Sequence, residues 1–352
     1  MIRLKHLYTV FAFILTLILY SCLYSALYSP LVMAQDFAFH PALNGADRDI
    51  PQPAGSRFGP GKEGWAILRY SVLADGSITN IDIIDEMPPR LIAKDIEKAM
   101  ADWSYVPARD NGESIDLHNI IETFTFDNNE MPNISGPAVM ALYQEPEELM
   151  AEERFERALR RSVRHLRQSA FTLHDIGLFN TQIATIGIRL PDMHVAYQAI
   201  KRATHTEVEQ LTRGELAVAL QYRFIIETNL GRYLDALDTY QRLNSMEDFP
   251  VVDSIQEQAR TIEAALGDTF TLTLKAKIAE DEAQWFHIPG SRAFSISDVE
   301  GELTALDIAC QRNVATLEYQ QDVEWSLPDS WGDCSILVKG DESTTFTFIE
   351  YH

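Results

Sequence analysis

The residues that could do chemistry in this 352-residue chain are three cysteines and nine histidines, and their spacing argues for very little of it. His165, His174, His194 and His205 fall on one helical stretch, but the gaps between them are too wide for a single helix face, so no metal site follows from spacing. His287, in Trp285-Phe286-His287, sits among aromatic residues; a structural histidine is the plain expectation and a general base the alternative. There is no G-x-S-x-G, no H-E-x-x-H and no glycine-rich phosphate loop. The expectation is a protein that is not an enzyme, with no catalytic residue, cofactor or metal ligand to name. An enzyme hidden in the C-terminal part is the remote alternative.

Cysteine usage points to export. With Cys22 in an N-terminal segment set aside, Cys310 and Cys334 remain as a pair. Two thiolates without a nearby histidine do not make a zinc site, whereas an oxidising compartment permits a disulfide closing a loop of about two dozen residues. Two buried free thiols are the alternative. The N-terminal segment agrees: Arg3 and Lys5 precede an uncharged apolar run from Leu7 through Val32, and Val32-Met33-Ala34 before Gln35 is an acceptable cleavage site. Residues 1–34 therefore read as a signal peptide, or as a membrane anchor through residues 7–32 if it is retained. Leu19-Tyr20-Ser21-Cys22 is a weaker match to a lipoprotein signal.

Charge excludes one class of partner. With 29 basic against 52 acidic residues the net charge is −23, and a phosphate backbone needs a basic face, so nucleic acid is not expected. Other proteins are. The one basic concentration is Arg154, Arg157, Arg160, Arg161, Arg164 and Arg167, at helical spacing. It reads as a solvated helix face paired with Glu147, Glu148, Glu152, Glu153 and Glu156, the alternative being a docking stripe for acidic partners or lipid head groups.

The elements that must position any binding surface begin at residues 64–127. From Trp65 to Val72 apolar and polar residues roughly alternate, Asp75-Gly76 favours a hairpin turn, and a second strand runs from about Ile78 to Ile84. Its alternation sets Ile78, Asn80, Asp82 and Ile84 against Thr79, Ile81 and Ile83. After Met87-Pro88-Pro89, Leu91, Ile92, Ile96, Ala99, Met100 and Trp103 recur at helical spacing, for about four turns. Pro107 ends or follows that helix. A last strand runs from Ile115 to Phe126, with Ile121, Thr123 and Thr125 opposite Ile120, Phe124 and Phe126. The order is β-β-α-β, one sheet with one helix packed on it.

Motif by motif this block resembles the C-terminal domain of the TonB energy-transducer family: Gly64-Trp65 entering the first strand, Asp75-Gly76 at the hairpin, Ala99 with Trp103 on the helix, Pro107-Ala108 after it, Asn111-Gly112 at the next turn, and Phe124 and Phe126 closing the last strand. The resemblance implies a protein-binding domain in the periplasm of a Gram-negative bacterium. It implies that a segment of an outer-membrane receptor adds as a strand to the exposed last strand, here Leu117, His118, Asn119, Ile120, Ile121, Glu122, Thr123, Phe124, Thr125 and Phe126. The chain departs from the family in lacking a long proline-rich linker and in carrying over two hundred residues after the domain. The expectation is a protein linked to TonB-type transmembrane transport through strand augmentation of a partner, the alternative being a periplasmic scaffold that docks other subunits without energy transduction.

Around this block, residues 35–63 form a Pro- and Gly-containing lead-in and residues 128–137 a linker. Residues 138–266 show helical spacing throughout, with an expectation of about six helices. Ala217, Leu220 and Phe224, then the turn Asn229-Leu230-Gly231-Arg232-Tyr233, then Ala236, Leu237, Tyr240 and Leu243 resemble one tetratricopeptide unit. From 267 to 352 the runs Thr269–Lys275, Leu317–Tyr319, Cys334–Lys339 and Thr344–Ile349 are strand-like, giving a small β-rich domain clipped by its cysteines. Trp285, Trp325 and Trp331 would fill a thin core, or form a carbohydrate- or peptide-binding shelf. The fold class expected is α+β in three parts.

Overall fold

The computed structural model describes residues 63–89, 93–100, 103, 105–110, 112–126, 135–170, 172–191, 193–266, 270–280, 282–321 and 323–352. The expected signal segment, the lead-in up to residue 62, Leu91, Ile92, Asn111 and most of the linker lie outside these residues. The described residues of 63–108 and 114–352 form one compact unit. It is α+β, as expected.

The N-terminal part carries β1 (Gly64–Val72), β2 (Ile78–Met87), α1 (Ala93–Met100), the short β3 (Ala108–Asp110) and β4 (Glu113–Ile115), and β5 (Leu117–Phe126). Strands β2, β1 and β5 form an antiparallel sheet in that order. The hairpin turn uses the residues the sequence offers: Ser77 donates its amide and its hydroxyl to Asp75 Oδ1 at 2.9 and 2.6 Å, and Gly76 sits at φ +86°. A Cβ at Gly76 would lie 2.2 Å from the Tyr105 carbonyl oxygen, and the Gly76 carbonyl itself accepts from the Tyr105 amide at 2.9 Å. Gly76→Ala is therefore expected to lose about 1–3 kcal/mol in a urea titration, since both the backbone angle and the close approach demand glycine.

Helix α1 has eight described residues rather than four turns, and Trp103 follows it outside the helix. Ala66, Leu68, Tyr70 and Val72 of β1 pack with Phe124 and Phe126 of β5 against Ile96 and Met100 of α1. The faces expected for β2 need correction. Two interruptions in the β1–β2 register, between Ile67 and Leu68 and between Arg69 and Ser71, break the alternation, and Asn80 takes a left-handed φ of 53°. Ile78, Ile81 and Ile83 accordingly share the α1 side, while Ile84 packs on the opposite one.

That opposite face corrects the expectation of a two-layer domain. Trp65, Ile67 and Met87 belong to one core with Leu166, Leu173, Ile176, Phe179 and Ile183 of the helical part, so β1 is buried along its whole length. Glu63 strengthens the junction by accepting from the Leu173 amide at 2.7 Å, a carboxylate at the positive end of a helix.

Among the described residues seven helices follow where about six were expected: α2 (Pro137–Ala151), α3 (Phe155–Ser169), α4 (Leu173–Gly187), α5 (His194–Ala203), α6 (Arg213–Asn229), α7 (Tyr233–Asn244) and α8 (Asp253–Ala265). Each packs on its successor, and α2, α4, α6 and α8 also touch the next member of that alternate series, which is how paired helices stack. Thr172 with Asp175 and Thr212 with Glu215 are full capping boxes at the starts of α4 and α6. On α3 the arginine stripe is only partly paired, and not within the helix. Arg161 and His165 both meet Glu145 of α2 at 3.1 Å and Arg154 meets Glu152, while Arg157, Arg160 and Arg164 are exposed.

The C-terminal part is a sandwich of two four-stranded antiparallel sheets. One runs β10 (Asn313–Glu318), β9 (Leu303–Cys310), β12 (Cys334–Gly340), β7 (Gln284–His287). The other runs β11 (Glu324–Ser326), β8 (Ala293–Glu300), β13 (Thr345–Tyr351), β6 (Thr271–Lys277). Leu274, Phe294, Ile308, Ile336 and Phe348 from both sheets share a core that also takes in Trp285, with Trp325 and Trp331 packed partly buried against it. Cys310 and Cys334 face each other across β9 and β12 as a disulfide, with Cα atoms 3.9 Å apart.

Candidate functional site: an edge strand and the cavity beside it

Strand β5 is at the edge of its sheet, as expected, but its first three residues are already engaged. Leu117 is buried opposite Val72. The His118 amide donates to the Gln311 carbonyl at 2.9 Å, so at this point the strand's outward backbone bonds to the sandwich. Asn119, at φ 57°, donates from Nδ2 to the Asp333 carbonyl at 3.1 Å and accepts at Oδ1 from Ser335 Oγ. Ser335 Oγ accepts in turn from Arg69 Nη1 at 3.0 Å. The first three residues of the strand are thus fastened within the chain.

The remainder alternates as expected. Ile120, Phe124 and Phe126 enter the α1 core, and Glu122 accepts from the Tyr70 hydroxyl at 2.6 Å, burial and then Glu122 pushing that phenol far up from its ordinary pKa. Ile121 is exposed and, with Thr123, borders a cavity of about 260 Å3; Thr125 is half-buried opposite Trp65. The other edge of the sheet is touched as well, since Gln284 Nε2 donates to the Ile83 carbonyl at 3.1 Å. The stretch from Ile121 to Phe126 is what remains for a partner.

The cavity is walled by all three parts of the chain. The sheet supplies Trp65, Ile67 and Ile84; α5 supplies Gln198, Lys201 and Arg202; β7 and the residues after it supply Trp285, Phe286 and Ile288. Trp65 is held by its indole N–H, which donates to Gln210 Oε1 at 3.3 Å, and His205 lies against its ring at 5.5 Å between centroids. Arg202 grips both oxygens of Asp85 at 2.8–3.1 Å and reaches Glu282 at 3.3 Å, tying β2 and the segment before β7 to α5. Such a bidentate pair fixes orientation as well as charge.

The histidines are anchored singly. His165 meets Glu145, His194 meets the Lys275 carbonyl, and His287 meets Glu350 at 2.6 Å. Ser135, His174 and Glu215 form a line that sequence spacing does not reveal, yet its hydrogen bonds make it a clamp. His174 Nδ1 accepts from the Ser135 amide at 3.0 Å, the Ser135 hydroxyl donates to Asp175, and Nε2 then donates to Glu215 at 2.9 Å. With Nδ1 taken by an amide, the ring has no free acceptor for the serine proton. Among the described residues no group of three or more His, Cys, Asp or Glu could hold a metal ion.

His287 gives a pH prediction. Burial holds its imidazole below the ordinary value of 6.5, against the opposing pull of Glu350, which stays below its own ordinary range. The unfolded chain therefore takes up a proton that the folded chain refuses, and the contribution is full above about pH 6.5 and lost below it. Relative to His287→Gln, wild type is expected to lose stability as pH falls from 7.5 to 5.5, by up to ~1.4 kcal/mol per pH unit below 6.5, measured by urea titration. A constant gap between the two proteins would contradict it.

No family model and no curated protein matches the chain. Among solved structures it is similar to a solution NMR structure of the Pseudomonas aeruginosa TonB CTD, at 24% identity and a TM-score of 0.19, over 20% of this chain and 72% of that one.

Proposed function

We propose that this chain is an exported, non-enzymatic envelope protein that holds a protein partner along the outer half of β5. The observation that carries the proposal is the edge position of β5 with Ile121 exposed beside a cavity, while His118 and Asn119 are fastened to the sandwich. An edge strand with free backbone groups recruits an extended segment, and neighbouring apolar side chains select it. The disulfide Cys310–Cys334 supports export, because such bonds persist in oxidising compartments. Among the described residues no helix is long and apolar enough to cross a membrane.

Fastening within the chain favours an adaptor, in which the sheet, the helices and the sandwich are held as one body and dock another subunit. TonB-type transport is the second reading, favoured by the order of motifs from Gly64-Trp65 to Phe126 and by the edge position of that last strand. A photocrosslinking amino acid at Ile121 or at Thr125, in full-length protein expressed in envelopes, separates the two. An adduct with an outer-membrane receptor supports transport, and one with a soluble envelope protein supports the adaptor. Adducts that are the same from Val218 on α6, or absent, remove both.

A further inference from the structure

Strand β6 is an edge of the sandwich, and only its later half is guarded. The His352 amide donates to the Phe270 carbonyl and the Ile278 amide to the Thr344 carbonyl, both at 2.9 Å, so the even-numbered residues turn their backbone to β13. In an antiparallel ladder the residues between them turn outward, here Thr271, Thr273, Lys275 and Lys277. His194 Nε2 donates to the Lys275 carbonyl at 3.0 Å, and Gly231 of the α6–α7 turn lies so near the Thr273 carbonyl that a Cβ there would stand 3.1 Å away. Lysines, as at 275 and 277, also keep strand edges from pairing. The earlier half has no such cover. Among the described residues nothing bonds to the outward amide and carbonyl of Thr271 or to the Thr273 amide.

Beside this open half lies a cavity of about 550 Å3, walled by Tyr233 of α7, by Gln258, Ile262 and Ala265 of α8, and by Phe270 just before β6. In a chain of net charge −23, no Asp, Glu, Lys, Arg or His among the described residues borders it. A charged group entering would lose water and gain no counter-ion. The volume falls within the ~300–1,000 Å3 of ligand sites. We infer that β6 takes an added strand: an extended, uncharged segment of another protein chain, which pairs its backbone with Thr271 and the Thr273 amide and lays alternate apolar side chains against Tyr233, Ile262 and Phe270. Two outward amides and the carbonyl between them repeat at the spacing of a peptide backbone, and at about 3.4 Å per residue the open edge engages about three residues. The site lies in a different sheet from β5, so it goes beyond docking there.

The test is calorimetric titration of the full-length protein with acetyl-Val-Thr-Val-Thr-Val-amide, with the same peptide fully methylated on its backbone amides, and with its central valine replaced by lysine or glutamate. Methylation and each charged replacement are expected to weaken binding at least tenfold. Thr271→Pro removes the outward amide at the first residue of an edge strand, where proline is tolerated, so the fold stays and affinity is expected to fall at least tenfold, while Thr271→Val keeps it. Wild-type affinity in Thr271→Pro puts the peptide elsewhere, β5 included, and overturns the inference, as does equal binding of the methylated peptide or no binding at all. Ala265→Glu, at an exposed position of the wall, is expected to favour the lysine peptide over the glutamate one, and equal binding of the two in that variant also overturns it. Peptide binding lost in Thr271→Pro, without crosslinks from Ile121 or Thr125, would sink docking on β5 and leave this site standing.

Discussion

Arg223→Met is expected to destabilise the protein by about 3–5 kcal/mol, the cost of leaving a buried carboxylate without its cation. Arg223 Nε donates to Glu227 Oε1 at 2.7 Å, and Glu227, four residues on along α6, has no exposed surface. Its other oxygen accepts from Thr239 Oγ1 of α7 at 2.7 Å, and Arg223 Nη1 donates to Thr204 Oγ1 at 3.2 Å, so one pair ties α6 to α7 and to the end of α5. Burial already pushes the Glu227 carboxyl up, and Arg223 is the main force holding it down. Without the arginine the group must stay charged in an apolar place or take up a proton and lose its strongest bond. A urea titration measures the loss. The companion Arg223→Met/Glu227→Leu should recover much of it, since a pair replaced by apolar groups leaves no orphan charge. If the double variant is as unstable as the single, packing around α6 is the cause instead.

Replacing both Cys310 and Cys334 by Ala should lower stability by about 3 kcal/mol, from the entropy of a closed loop in the unfolded chain. The bond joins residues directly opposite on β9 and β12 with a sequence separation of 24, and the two strands pair through their ladder on the same register, from Cys334↔Cys310 to Val338↔Leu306. The folded sheet therefore survives the loss, and the effect lies in the unfolded chain. Cys310 has no exposed surface and Cys334 only 5%, so reductant is expected to reach the bond at the rate of unfolding. Free-thiol appearance under dithiothreitol, followed beside the unfolding rate in urea, checks this. Reduction much faster than unfolding would mean that the sheet opens locally.

What was legible in the sequence was mostly local. Asp75-Gly76 specifies its turn with its own carboxylate and its own φ, and the turn read at Asn229–Tyr233 contains the break between α6 and α7, with its two end residues belonging to the helices. The disulfide was legible because only two cysteines remain once the N-terminal Cys22 is set aside. Alternation failed in β2, because period-two counting assumes no extra residue and Asn80 sits in a break of register. Strands β8 and β9 were missed for another reason. Their cores are legible, as Phe294, Ile296, Leu306 and Ile308, but Ser295, Ser297, Asp298 and Asp307 between them resemble loop residues. The site was hardest to read. The edge strand could be named from pattern, whereas Lys201, Trp285 and Ile121 lie on separate elements that only tertiary packing brings around one cavity.

The burial of β1 on both sides has a kinetic consequence. Trp65 donates to a glutamine 145 positions later, and Arg69 to a serine 266 positions later. The strand must therefore wait for partners far along the chain before its second face is complete. Chain entropy makes such distant pairings slow to close. Until helices α3 to α6 have been made, Trp65, Ile67 and Met87 form a sticky surface of the kind that draws chaperones or aggregates. A chain truncated before α4 should accumulate in that trapped form, and residues 63–126 released alone should be prone to self-association. The same strand that makes the body rigid makes its folding depend on helices far along the chain.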